Sequence, residues 1–428
     1  MKRTFFLFFA LMLLTAACNS SAQPTAASLP QEAKQTTITR TPTTPPTPTT
    51  QPTPTPDPFP DPTLRIMGEV ETVFDWTTDR CANHNIPDLP LRAFRGADGQ
   101  VQAISSSDNN YRFLGPDLNN LTIDCNKIMS SRYNPDPAQY TDAEWIAATY
   151  TEDGQTIYAL IHNEYQGHMH PGQCPQNDYF SCWDNSITLG ISIDGGKTYS
   201  EALDPPGHLV ARFPYPYLAG AGPEGFRGPS NIIKGEDGYY YNFFNVSEYQ
   251  TQNQWVCLMR TDDLSQPGSW RFWDGTGFDG RFADPYTEAI TDPGQHICPP
   301  LDQDAIGHGL NDSITYNTTL ERYVLVGNSA DWLDNRNVWG FYYSFSADLV
   351  HWSARKLLVE IELPWTVEFP GSDLSHLYPS LLDPESESRN FETTGKTAYL
   401  YYTRNNFGHG SLDRDLIRVP VEFFPSED

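Results

Sequence analysis

The stretch GPSNIIKGEDGYYYNFFN (residues 228–245) reads as strand, tight turn, strand. Asp237-Gly238 supplies the turn, because Asp-Gly between apolar runs favours the positive-φ backbone of a short hairpin. The flanking Ile, Tyr and Phe suit a pleated surface that packs against a neighbour. The unit recurs as PLRAFRGADGQVQAISS (90–106), WIAATYTEDGQTIYALIHNE (145–164), NDSITYNTTLERYVLVGNS (311–329) and LYPSLLDPES with GKTAYLYYTRNN (within 377–406). Several copies are followed by a strand ending in a Ser/Asp turn with an aromatic: ITLGISIDGGKTYS, VCLMRTDDLSQPGSW and FYYSFSADLVHWS. Long helical periodicity is missing after the N-terminal leader. Five copies, each extended to a four-stranded antiparallel blade, predict an all-β chain folded as a five-bladed β-propeller. A strand near RIMGEVETVF or IRVPVEFF is expected to close it. A pair of sandwiched sheets is the competing reading, and it would not demand the periodic turn.

The N-terminus points to export. Lys2 and Arg3 precede an apolar run, Phe5 to Leu14, that is short for a membrane span, and small residues lead into Cys18. This pattern resembles the lipobox of a bacterial lipoprotein, so residues 1–18 are expected to be a signal peptide and Cys18 the lipidated N-terminus. An ordinary secretory peptide cleaved near Ala22 is the alternative. Residues 19–62 are rich in Pro and Thr, bury nothing and favour extended polyproline II, so a disordered tether is expected. At about 3.1 Å per residue it would reach roughly 120 Å. Residues 63–428 then form the propeller domain, expected to be a monomer on the extracytoplasmic face of a membrane that it touches only through the lipid.

A formal charge of −27 argues against nucleic acid and against a basic membrane-docking face. Aromatics make up 13% of the chain, and Tyr and Trp suit surfaces that must be apolar and hydrogen-bonding at once. Setting Cys18 aside leaves six cysteines and fifteen possible connectivities. The pairs nearest in sequence are expected: Cys81–Cys125, Cys174–Cys182 and Cys257–Cys298. No CxxC occurs, so disulfides are preferred to a metal cluster.

In a propeller the innermost strand of each blade lines the axis, and polar residues where it begins converge on one pocket. Those positions offer Asp88 and Arg92, Glu144 and Trp145, Arg227, Ser230 and Asn231, His308, Asn311 and Asp312, and His376 and Tyr378. His162 and Glu164 in HNEY, and Arg404 in TRNN, can reach the same rim. Charged groups there are costly unless paired or bound to a ligand.

On these residues the chain resembles the five-bladed glycosidase superfamily of arabinanases, xylosidases and fructosidases. The resemblance implies a carboxylate base in blade one, a tuning carboxylate in blade two and a glutamate acid in blade three. IPDLP puts Asp88 at the base position, with Leu89 interrupting the usual Asp-Pro, and DAEW offers Asp142 or Glu144. In blade three Arg227-Gly228-Pro229 stands where the family reads Glu-Gly-Pro. Arginine donates no proton at neutral pH, so Glu224 or Glu164 would have to supply the acid.

SIDGGKTY (192–199) matches the Asp-box turn, and SADLVHW resembles a turn of five-bladed glycosidases; both bear on fold. A second resemblance is to sialidases, six-bladed propellers with a carboxylate-gripping arginine cluster and a tyrosine nucleophile. Arg92, Arg227 and Arg404 would be the cluster and Tyr378 the nucleophile. Five units rather than six, and one complete Asp box, stand against it. Glu164, His168 and His170 in NEYQGHMHPGQC offer metal-ligand chemistry, yet a polar, glycan-contacting loop is the preferred reading, with no metal or cofactor. The function expected is a glycan-active hydrolase working by carboxylate acid/base chemistry. The alternatives are a non-catalytic carbohydrate-binding lipoprotein and a surface protein whose propeller is only a scaffold.

Overall fold

In the segment YYNFFNV, strand Tyr240–Val246, every residue is buried, so both faces of the strand meet a core. Tyr240, Phe244 and Val246 join one hydrophobic cluster, while Tyr241 and Phe243 join another. That alternation follows from the two-residue period of a strand and makes this sheet an interior layer. The computed structural model describes residues 62–250, 253–367, 374–407 and 412–426. The expected signal peptide, Cys18 and the Pro/Thr-rich segment through residue 61 lie outside the described residues.

The described chain is nearly all β. Its antiparallel meanders run Arg92–Arg95 to Thr122–Asp124, Ala143–Tyr150 to Leu209–Ala211, Glu224–Arg227 to Arg271–Phe272, Ser313–Asn317 to Lys356–Glu360, and Ser375–Leu382 to Arg414–Phe424. They are called the first to fifth meanders below. The second and third are joined into one sheet by a short parallel pairing of Glu224 and Gly225 with Asp184 and Asn185. The fifth is completed from the other end of the chain: Thr63–Ile66 pairs with Arg414–Phe424 in the register Thr63↔Phe424 to Ile66↔Val421. Both strands expected to close the fold are therefore present, and they pair with each other.

Five apolar layers separate the meanders. Phe94 and Ile104 of the first pack on Ile146, Ile157 and Ile161 of the second. Leu160, Ile187 and Leu189 of the second meet Phe226, Phe244 and Trp270 of the third. Phe243 and Leu258 of the third meet Leu325 and Tyr342 of the fourth. Val324 and Phe341 of the fourth meet Leu400 and Val419 of the fifth. Leu382 and Tyr401 of the fifth return to Leu91, Val101 and Phe113 of the first. Each meander is thus buried by the one before it and the one after it, with the last against the first.

The innermost strands are sewn together by side chains reaching neighbouring backbones. Arg92 donates to the carbonyls of Ala147 at 2.8 Å, Pro229 at 3.0 Å and Asp312 at 2.8 Å, touching three other meanders at once. Asn231 exchanges two hydrogen bonds with the Ile314 backbone, and Ser380 donates to the Leu91 carbonyl. The disulfides are Cys81–Cys125, Cys174–Cys182 and Cys257–Cys298, the pairing by sequence proximity. Turns between third and fourth strands share one device. Asp194 accepts from Lys197 N, Thr198 N and Ser192 Oγ, and Asp348 accepts from Val350 N and His351 N.

Candidate functional site

Register decides which side chains face the axis. Ala143 and Trp145 sit opposite Glu164 and His162 on the neighbouring strand, and directly opposed residues share a face. Trp145, Leu89, Ala143 and Ala147 form an apolar cluster against Tyr378. Where the innermost strands begin, this cluster carries two tyrosine–carboxylate pairs. Tyr378 donates to Asp88 at 3.3 Å, and Tyr179 donates to Glu164 at 3.2 Å.

Asp88 is also ion-paired with Arg414, whose position opens the last strand. Burial pushes the Asp88 carboxyl up, the Arg414 charge opposes that, and the nearby Glu164 charge adds to it. Glu164 is 7% exposed and takes hydrogen bonds from Gln166 at 3.0 Å and Tyr179, with His162 Nε2 at 3.1 Å. Tyr378 holds φ at +62°, a left-handed backbone unusual for a bulky residue and worth roughly 1–3 kcal/mol of strain. Burial, reinforced by Asp88, holds its hydroxyl protonated. Burial and then Glu164 do the same for Tyr179.

Arg227 completes the group. Its guanidinium lies 5.3 Å over the Trp183 ring, and Trp183 stacks on Tyr179 at 5.2 Å. Its Nε is buried without a hydrogen-bond partner. Burial lowers its pKa, while Glu164 and then Tyr179 raise it. Asn185, paired across the strands with Glu164 and with Gly225, has neither amide atom bonded.

Other expected site residues lie elsewhere or are otherwise engaged. Glu144 faces away from Trp145 because neighbours on a strand alternate. It is fully buried, and burial with the Glu201 charge raises its pKa to about 8. Asp142 accepts from Gln166 N at 2.7 Å and contacts His170 Nε2 at 2.9 Å. Glu224 belongs to a cluster with Asp184, Arg212 and Tyr249, where burial and the Asp184 charge raise it to about 8. Arg404 pairs with Asp415 at 2.8 Å. Arg92 and Arg404 are thus engaged within the fold, while Arg227 and Arg414 interact electrostatically with Glu164 and Asp88. Asn311 donates to the Gly228 carbonyl, and Asp312 accepts two bonds from Asn328 while burial raises it to about 7.

Arg414, Tyr179, Trp183 and Gln166 were not anticipated. Arg414 sits in a strand whose sequence advertises only closure. Tyr179 lies in the loop stapled by Cys174–Cys182, which the sequence marks as a contact loop without saying which residue points inward. Among the described residues, no group of three or more His, Cys, Asp and Glu is placed to hold a metal. A cleft of about 270 Å³ on the flank, lined by Leu209, Trp270, Phe282 and the Arg281–Glu288 pair, lies apart from this constellation.

No family model and no curated protein matches the chain. Solved structures similar to it include a glycosyl hydrolase from Bacteroides ovatus at 11% identity and a TM-score of 0.45, covering 84% of this chain and 94% of that one. Another is an endo-arabinase from Bacteroides thetaiotaomicron at 11% identity and a TM-score of 0.41, covering 79% and 96%. A third is an α-L-arabinanase from Cellvibrio cellulosa at 11% identity and a TM-score of 0.41, covering 78% and 90%.

Proposed function

We propose that this chain is an exported, lipid-anchored glycan hydrolase working at one end of the axis of a five-bladed β-propeller. The ring of five apolar layers supports the blade count, and the turns at Ser192–Tyr199 and Ser346–Trp352 support the Asp-box and glycosidase-type readings. The single observation carrying the activity is that Asp88 and Glu164 lie near enough for the Glu164 charge to act on Asp88, and each is bonded to a tyrosine.

Hydrolysis of a glycosidic bond needs one carboxyl that keeps its proton and one that is ionised. Asp88, the base position of the sequence resemblance, is held up by burial against the Arg414 charge and suits the acid instead. Glu164, supplied with hydrogen-bond donors, suits the base or nucleophile. Tyr179 and Trp183, both partly exposed, give a sugar an aromatic wall to pack against. Lipidation at Cys18 and the tether through residue 62 place this pocket outside the cell.

The test is release of sugar from plant, fungal and bacterial-wall glycans by the purified protein. Asp88→Asn and Glu164→Gln should each lower release at least about 100-fold, the usual worth of a positioned acid or base. Unchanged release in both variants overturns the assignment. The Asp88–Arg414 ion pair favours a second reading, a carbohydrate-binding protein that does not cleave. Glycan binding without release is its signature.

A further inference from the structure

Charge pairing around the pocket leaves one cation over. Arg414 is committed to Asp88, Arg404 to Asp415, and Arg92 to three backbone carbonyls. Glu164 is supplied by Gln166, Tyr179 and His162, and none of its hydrogen bonds comes from an arginine. Arg227 alone of these guanidiniums makes no hydrogen bond or ion pair with any described residue. Its Nε is shut off from water, while the residue as a whole stays partly exposed. A buried, unbonded charged donor is expensive unless something else meets it.

The position of Arg227 is fixed rather than accidental. Its strand is clamped to the second meander at Gly225, whose φ is +105° and where a Cβ would come within 2.2 Å of the Asn185 carbonyl oxygen. On the other side Arg227 pairs across strands with Asn245. Its guanidinium plane is backed by Trp183, itself stacked on Tyr179, which holds Glu164. The unbonded donor is thus linked through two stacked rings to a carboxylate of the proposed chemistry.

We propose that Arg227 anchors the carboxylate of an acidic sugar, so the glycan this pocket takes carries uronic acid residues. This rests on reading the axial pocket as a glycan site. A planar guanidinium meets a carboxylate through two parallel hydrogen bonds, which a neutral hydroxymethyl group cannot reproduce. The Arg227 guanidinium, backed by Trp183, suits a carboxylate carried on a pyranose ring.

The experiment measures binding, so it needs no turnover. Oligosaccharides of galacturonic, glucuronic and mannuronic acid are each titrated against Glu164→Gln protein beside their carboxyl-reduced, neutral counterparts. At least one acid should bind roughly 30-fold or more tightly than its reduced form. Arg227→Gln, made in the same background, should erase that margin while leaving affinity for the neutral form within about threefold; Arg227→Lys should keep part of it. Equal affinity for acid and neutral forms overturns the proposal, as does an acid preference that survives Arg227→Gln. Tighter binding of a sulfated oligosaccharide also overturns it. Absence of hydrolysis alongside an Arg227-dependent acid preference would sink the hydrolase reading and leave this one standing.

Discussion

Asp88 and Glu144 show how burial sorts carboxylates that look alike in sequence. Asp88 has a counter-charge in Arg414, so removing that partner strands a partly buried acid. Arg414→Met should cost about 2–3 kcal/mol in chemical denaturation, and adding Asp88→Asn should return part of it. Glu144 is buried, the Arg132 backbone and charge favour its ionised form only in part, and its folded pKa of about 8 lies above its ordinary 4.5. The folded chain therefore keeps a proton that the unfolded chain has lost, and stability falls as pH rises from about 4.5 through about 8. Glu144→Gln removes this ionisation without changing shape. The variant should match the wild type below pH 4 and exceed it by on the order of 2–4 kcal/mol at pH 8, read as melting temperature against pH. Asp312, raised to about 7, steepens the same slope in the wild type.

At the scale of elements, the meanders were readable because each carries its own turn chemistry and two-residue alternation. The inner hairpin at Asp237-Gly238 needs nothing but local sequence to suggest it, and the three disulfides follow the order of the cysteines along the chain. The site was readable only in part. Asp88, Trp145, His162, Glu164, Arg227 and Tyr378 fall where an innermost strand begins or its neighbour ends, and periodicity marks such places. Which face a residue takes depends on register, and register put Glu144 behind its strand. Arg414 comes from the far end of the chain, at a sequence separation of 326 from Asp88, so no local pattern joins them. Two elements can be tested directly. Gly225→Ala should cost more than about 2 kcal/mol, because neither the backbone angle nor the close approach to Asn185 admits a side chain. Replacing Cys174 and Cys182 by serine should cost at most about 2.5 kcal/mol, the entropy of a short closed loop, yet weaken glycan affinity by loosening Tyr179 and Trp183.

For the whole molecule, the charge of −27 works against an acidic ligand until the two are in contact. Stopped-flow association of an oligouronate should therefore quicken as salt rises from 10 to about 150 mM, where screening shortens to about 8 Å. A neutral oligosaccharide should show no such rise.

The pairing of Thr63–Ile66 with the final strand has a mechanical consequence. Anything that tugs on the preceding segment loads the fold at a four-residue strand whose partner carries Arg414 at its opposite end. Tension applied there would enter at the edge of the sheet whose final strand carries Arg414, the partner of Asp88. Peeling that strand would leave the final strand held by Thr397–Asn405 along its length and by Glu71–Phe74 beside Leu416–Arg418, so Arg414 would keep its place on Asp88.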